Sequence, residues 1–183
     1  MLDPKHPHND LPPLPPQADV ETRAILKKCV TARTALAELR LAGHLIPDQS
    51  VLVHAIPNLE AKDSSAIENI VTTKDALFRE QSLGDSQAAP ATKEAARYRN
   101  ALYAAVDALK THPLSTRIAV DVCRIITGID LNVRRTPGTT LTNSHTGEVI
   151  YTPPEGEARL RDMLSNWETF ANGNPDLDPL VKM

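Results

Sequence analysis

Residues 63–71 read Asp-Ser-Ser-Ala-Ile-Glu-Asn-Ile-Val, and their types and spacing permit one piece of chemistry. Wound as a helix, Leu59, Ala66, Ile67 and Ile70 share one side, while Ala61, Ser64, Ser65, Glu68 and Thr72 share the other. A face of small side chains lets another surface approach closely. A lone carboxylate on that face can take an arginine in a two-pronged pair. Ser64 stands one turn before Glu68 and either steadies it or is an ordinary surface residue. Ser65-x-x-Glu68 is also a capping box, in which the glutamate folds back onto the serine amide. Asn69 is either part of the same site or simply solvated. From these residues alone, a cap or a solvated face is commoner than a docking site.

No other group of residues competes with this face. His6 and His8 lie in a proline-rich start, His145 in a turn, and His44, His54 and His112 are scattered, so no metal-ligand spacing emerges. Arg134-Arg135 could touch a phosphate, although a solvated or carboxylate-paired surface is the commoner state. The two cysteines, Cys29 and Cys123, are far apart and have no pairing motif, which predicts a reducing, cytoplasmic setting. Cys29 sits on an apolar stripe and is expected to be a small buried hydrophobe.

The elements that must position these residues follow from composition and period. Of 183 residues, 41% are hydrophobic but only 3% are aromatic, so the core must be built of Leu, Ile, Val and Ala. That composition suits packed helices better than a β-sandwich. A net charge of -3 without a dense basic run argues against direct nucleic-acid binding. No apolar run approaches a membrane span, and the N-terminus lacks a signal pattern.

The expected fold is mainly α, an orthogonal helical bundle with one β-hairpin flap. Residues 1–19 form a proline-rich arm, in which Leu11-Pro-Pro-Leu14-Pro-Pro is extended. It could serve as an SH3-type ligand, but an arm lying on the body with Leu11 and Leu14 tucked in is the simpler reading. Residues 20–133 form the helical domain. Its first helix, 20–41, carries a stripe of Ile25, Cys29, Ala32, Leu36 and Leu39, with Gly43 as a stop. Residues 48–56 are apolar, and Pro57 opens a new helical piece. Thr72 or Thr73 caps a short helix ending near Gly84. A long helix over 92–112 turns Ala95, Tyr98, Leu102, Val106 and Leu109 inward. Ser115 caps the next, with Ile118, Val122, Ile125 and Ile126 inward and Gly128 closing it.

Residues 134–183 change character. Two short strands, 139–142 and 148–152, flank a turn over 143–147 with Gly147 at positive φ. Two strands alone are marginal in water, so the hairpin must lean on helices or wait for a third strand. Pro153-Pro154-Glu155 opens a last long helix with a stripe of Leu160, Leu164, Trp167 and Ala171, and Asp178-Pro179 starts another.

At this point the residues resemble a family. Ser64-x-x-x-Glu68-Asn69 is similar to the [Ser/Thr]-x-x-x-Glu-[Gly/Asn] inhibitory motif of Fic-domain AMP-transferases. Leu11-Pro-Pro-Leu-Pro-Pro, Leu45-Ile-Pro-Asp-Gln-Ser50, Ala55-Ile-Pro, Glu68-Asn-Ile-Val-Thr-Thr73, Ala76-Leu-Phe78 and Arg97-Tyr98 look like the Fic N-terminal region. Pro137-Gly-Thr139 with Thr146-Gly-Glu-Val-Ile-Tyr-Thr-Pro-Pro154 looks like the flap before the Fic core. The resemblance implies that Glu68 pairs with an arginine that otherwise holds the ATP γ-phosphate. It also implies a catalytic histidine as base, Mg²⁺ on the phosphates, and a flap of Thr139, Thr140, Leu141, Val149, Ile150 and Tyr151 that docks a target protein.

The departure from the family is that the sequence contains neither His-Pro-Phe nor Gly-Asn-Gly-Arg. The chain is therefore expected to be the regulatory N-terminal half of such an enzyme, cut short, without catalytic residues and inactive alone. ATP and Mg²⁺ are implied only for the complete enzyme. The rival expectations are a trans-acting inhibitor of a separate Fic core and a non-catalytic helical interaction module, monomeric or a homodimer.

Overall fold

The computed structural model describes residues 3–47, 50–67, 72–83, 88–173 and 176–183, with side chains described except at 50–54, 65–67 and 83. In chain order the elements are α1 (Arg23–Gly43), α2 (Ser50–Ile67), α3 (Lys74–Leu83), α4 (Pro90–Ala108), α5 (Thr116–Thr127), β1 (Leu141–Thr142), β2 (Val149–Tyr151), α6 (Glu157–Asn172) and α7 (Pro179–Lys182). The architecture is mainly helical with a small antiparallel sheet, as expected. The chain divides into two compact units, Lys27–Leu131 and Met1–Leu26 with Asn132–Met183.

In the first unit α4 is the hub, packing against α5, α2 and α3. Thr92, Ala95, Ala96 and Arg99 recur at helical spacing and are buried. Of the predicted face Ala95 is buried and Tyr98 and Leu102 are half-buried, but the buried side extends toward Thr92, Ala96 and Arg99 instead, and Val106 and Leu109 are exposed. Alanines at its centre let neighbouring helices approach closely. Leu77 of α3 is fully buried with Ala95 and Ala96, a contribution of about 1.5–3 kcal/mol.

Two local predictions are corrected, and a third, the stop at Gly43, holds by a different geometry. Pro57 lies inside α2 and opens no new helix. A proline there forfeits one intrahelical hydrogen bond, but Asn58 and Ala61 just beyond it are buried, and that packing carries the helix through. On α1 only Cys29 of the predicted stripe is buried, while Ile25, Leu36 and Leu39 are exposed, because α1 packs extensively on no other described element. Gly43 is the last helical residue and lacks a positive φ. The end of α1 tightens into i→i+3 bonds, such as His44 N–H to Leu41 carbonyl at 3.1 Å.

Other ends follow the sequence. Thr73 caps α3 by accepting from the Ala76 amide at 3.2 Å. Ser115 caps α5, and Gly128 closes it at φ +70°. Asp178 caps α7 through the Leu180 amide at 2.9 Å.

In the second unit β1 and β2 pair antiparallel, with Leu141 opposite Tyr151 and Thr142 opposite Val149. That shift in register places one extra residue, Ile150, on β2. The strands are shorter than predicted, and Thr139 and Thr140 precede β1. The Asn143 carboxamide accepts from the amides of His145 and Thr146 at 2.9 and 3.2 Å, and Gly147 completes the turn at φ +70°.

The N-terminal arm supplies what the hairpin lacks. His8 N–H donates to the Thr152 carbonyl at 3.0 Å, the Thr152 hydroxyl to the Pro4 carbonyl at 2.7 Å, and the Glu155 amide to Asn9 Oδ1 at 3.1 Å. Asn166 of α6 clamps Leu14 at both backbone groups, accepting from its amide at 2.7 Å and donating to its carbonyl at 2.9 Å. Leu14 is half-buried as predicted, whereas Leu11 remains exposed.

Candidate functional site

The segment that carries the carboxylate motif is flanked by two anchor points on α4. On its N-terminal side α2 packs against α4, with Asn58 and Ala61 buried. On its C-terminal side the hydroxyls of Thr72 and Thr92 meet at 2.8 Å in a buried contact. Glu68 and Asn69 themselves lie outside the described residues. Of the small-residue face, Ala61 and Thr72 are taken up by the fold rather than left open. Ser64 is half-buried, and its hydroxyl donates to Glu60 Oε1 at 2.7 Å, one turn back along α2. A serine has a single O–H to donate, so in this arrangement Ser64 cannot also donate to Glu68.

Behind this face lies a polar network that sequence reasoning missed. Arg99 is only 5% exposed. Its Nη2 donates to Glu80 Oε2 at 3.0 Å and its Nη1 to Asn58 Oδ1 at 3.2 Å. Asn58 in turn donates to Gln81 at 2.6 Å. The network ties α2, α3 and α4 together, which fixes the stem that leads into the motif. The available signal was the run Thr92-x-x-Ala-Ala-x-x-Arg99, which places two polar residues on an otherwise small apolar stripe. Arg97, the residue singled out from sequence, is exposed, and Tyr98 is half-buried.

The hairpin residues lie elsewhere in the chain, in the second unit. Leu141 and Ile150 are exposed, and Val149 and Tyr151 are half-buried. Thr139 and Thr140 are exposed outside the strand. Among the described residues the sheet has two strands only, so the outer side of β1 is unpaired. His8 meets the Tyr151 ring edge-on, with centroids 6.3 Å apart.

The two adjacent arginines have different partners. Arg135 Nε pairs with Glu157 Oε2 at 3.1 Å, and Arg161 donates twice to Glu157 Oε1 at 2.9 and 2.8 Å. The Arg161 hydrogen bond, with the charges of Arg135 and Arg161, holds the Glu157 carboxyl below the usual carboxylate range against a smaller effect of burial. Arg134 instead donates to the Pro154 carbonyl.

Among the described residues no three His, Cys, Asp or Glu side chains converge as a metal-ligand set. The residues that the resemblance assigns to ATP and Mg²⁺ are likewise not in the sequence. No helix of the described residues is long and apolar enough to cross a membrane.

The family described as Fic/DOC family N-terminal matches residues 26–107. The match includes α1 from Leu26 onward, all of α2 and α3, and nearly all of α4, and it ends before α5 and the hairpin. The chain therefore carries a Fic/DOC-family N-terminal region, residues 26–107, and Ser64, Glu68 and Asn69 fall inside it.

Proposed function

We propose that this chain is the auto-inhibitory N-terminal half of a Fic-type protein adenylyltransferase, which transfers AMP from ATP to a protein hydroxyl. The observation that supports the reading is the position of Ser64-x-x-x-Glu68-Asn69 within the matched region, between two points anchored on α4. Glu68 offers its carboxylate to an arginine of a Fic catalytic core and competes there with a nucleotide phosphate for the same two-pronged partner. ATP and Mg²⁺ belong to that core. Without His-Pro-Phe and Gly-Asn-Gly-Arg, residues 1–183 transfer no AMP alone. The hairpin receives an extended segment of the target protein along the open side of β1, with Leu141 and Ile150 exposed to it. A cytoplasmic location fits two cysteines without a pairing motif.

The test adds the chain to a separately produced Fic core bearing both motifs, with labelled ATP, Mg²⁺ and that core's target protein. The wild-type chain is expected to suppress transfer, and Glu68→Gly to relieve suppression by about tenfold or more. Equal behaviour of the two chains overturns the reading. A second reading, a non-catalytic interaction module or homodimer, is favoured by the exposed Val30, Leu36, Leu39 and Leu41 of α1. It requires a stable oligomer in sedimentation and a dispensable Glu68.

A further inference from the structure

The second unit contains a cavity of about 550 Å³, within the range of small-molecule sites. Leu160, Met163 and Leu164 form one wall, spaced so that they share a face of α6. Pro153 and Pro154 add further apolar surface, and Arg134 is the one ionisable residue among those that line it.

Arg134 is half-buried and is held by a single hydrogen bond to the carbonyl of the buried Pro154. That bond uses one of the five N–H donors of the guanidinium. The carboxylate of Glu157, which pairs with the adjacent Arg135, is also taken up by Arg161. Among the described residues Arg134 has no carboxylate within ion-pair distance. A partly desolvated charge beside apolar walls is stabilised by a ligand that brings its own counter-charge.

We infer that this cavity binds a compact organic monocarboxylate, its carboxylate on the Arg134 guanidinium and its apolar body against Leu160, Met163 and Leu164. Neither feature suffices alone. A bare inorganic anion leaves the apolar walls wet, and a neutral hydrocarbon leaves the guanidinium unpaired. The inference does not depend on the role proposed for Glu68.

The test is calorimetric titration of the purified chain with octanoate, alongside octan-1-ol and inorganic phosphate. Trp167, the single tryptophan, lies one turn beyond Met163 and Leu164 and gives a second, fluorescence readout. Octanoate is expected to bind saturably at one site, with octanol and phosphate each about tenfold or more weaker. Arg134→Gln is expected to weaken octanoate by a similar factor and leave octanol unchanged, while Arg134→Lys retains part of the affinity. Met163→Phe, which narrows the cavity without touching the charge, is expected to weaken octanoate even if the Arg134 variants fail to fold. Absence of saturable octanoate binding, octanol or phosphate binding as tightly as octanoate, or unchanged affinity in folded Arg134→Gln or Met163→Phe overturns the proposal.

Discussion

Arg99 is the residue on which the helical unit turns. All three guanidinium nitrogens find an oxygen, on Glu80, Asn58 or the neighbouring Asn100. Such a network is worth little against an apolar replacement of the whole set, but removing one member strands the others. Arg99→Ala is expected to cost about 3–5 kcal/mol in urea unfolding. The paired variant Arg99→Met with Glu80→Leu is expected to recover much of that loss. If both variants unfold like the wild type, the network is not structural. Arg134 and Arg135 carry the same lesson outward. Adjacent in sequence, one is bound to Glu157 and the other to a backbone carbonyl, a difference that no property of a two-residue basic pair predicts.

At the scale of elements, helix ends divide by backbone geometry rather than by residue type. Gly43 and Gly128 both close helices, and a methyl group added at either meets nothing within 4 Å. Only Gly128 has positive φ. Gly128→Ala is therefore expected to destabilise by about 1–2 kcal/mol, while Gly43→Ala stabilises by about 0.5–1 kcal/mol. Opposite shifts in the urea midpoint check this, and shifts of the same sign refute it. Pro57 belongs to the same scale. As a local signal it reads as a helix start, yet α2 runs through it because Asn58 and Ala61 are needed inside. The hairpin likewise depends on partners distant in sequence. Its two short strands are backed by the arm at Thr152 and Glu155, through residues nearly 150 positions earlier.

For the whole molecule, stability should be uneven. The centre of α4 packs on three helices, while α1 beyond Cys29 exposes its leucines. Native-state hydrogen exchange is expected to be slowest in Ala95–Ala101 and faster by at least about tenfold over residues 36–43. Uniform protection along both helices would contradict this account. The same unevenness bears on the proposed inhibition, since α2 is tied to the helix expected to be best protected. The proposed relief by Glu68→Gly is therefore expected to weaken when Arg99→Ala loosens the stem.

The sequence by itself determined the helical class, the caps at Ser115 and Asp178 and at one of Thr72 and Thr73, the Gly147 turn, and the likeness of residues 26–107 to the Fic/DOC N-terminal region. These depend on local backbone preference, on apolar period, or on a short ordered set of residue types, and each is complete within a few positions. Tertiary structure alone decided which side of α4 is buried, that α1 keeps its stripe exposed, and that Ala61 and Thr72 serve packing. It also decided that Arg99 has three oxygens within reach while Arg134 faces a cavity. Those outcomes depend on which surfaces meet, and period marks an apolar face without naming the element that covers it.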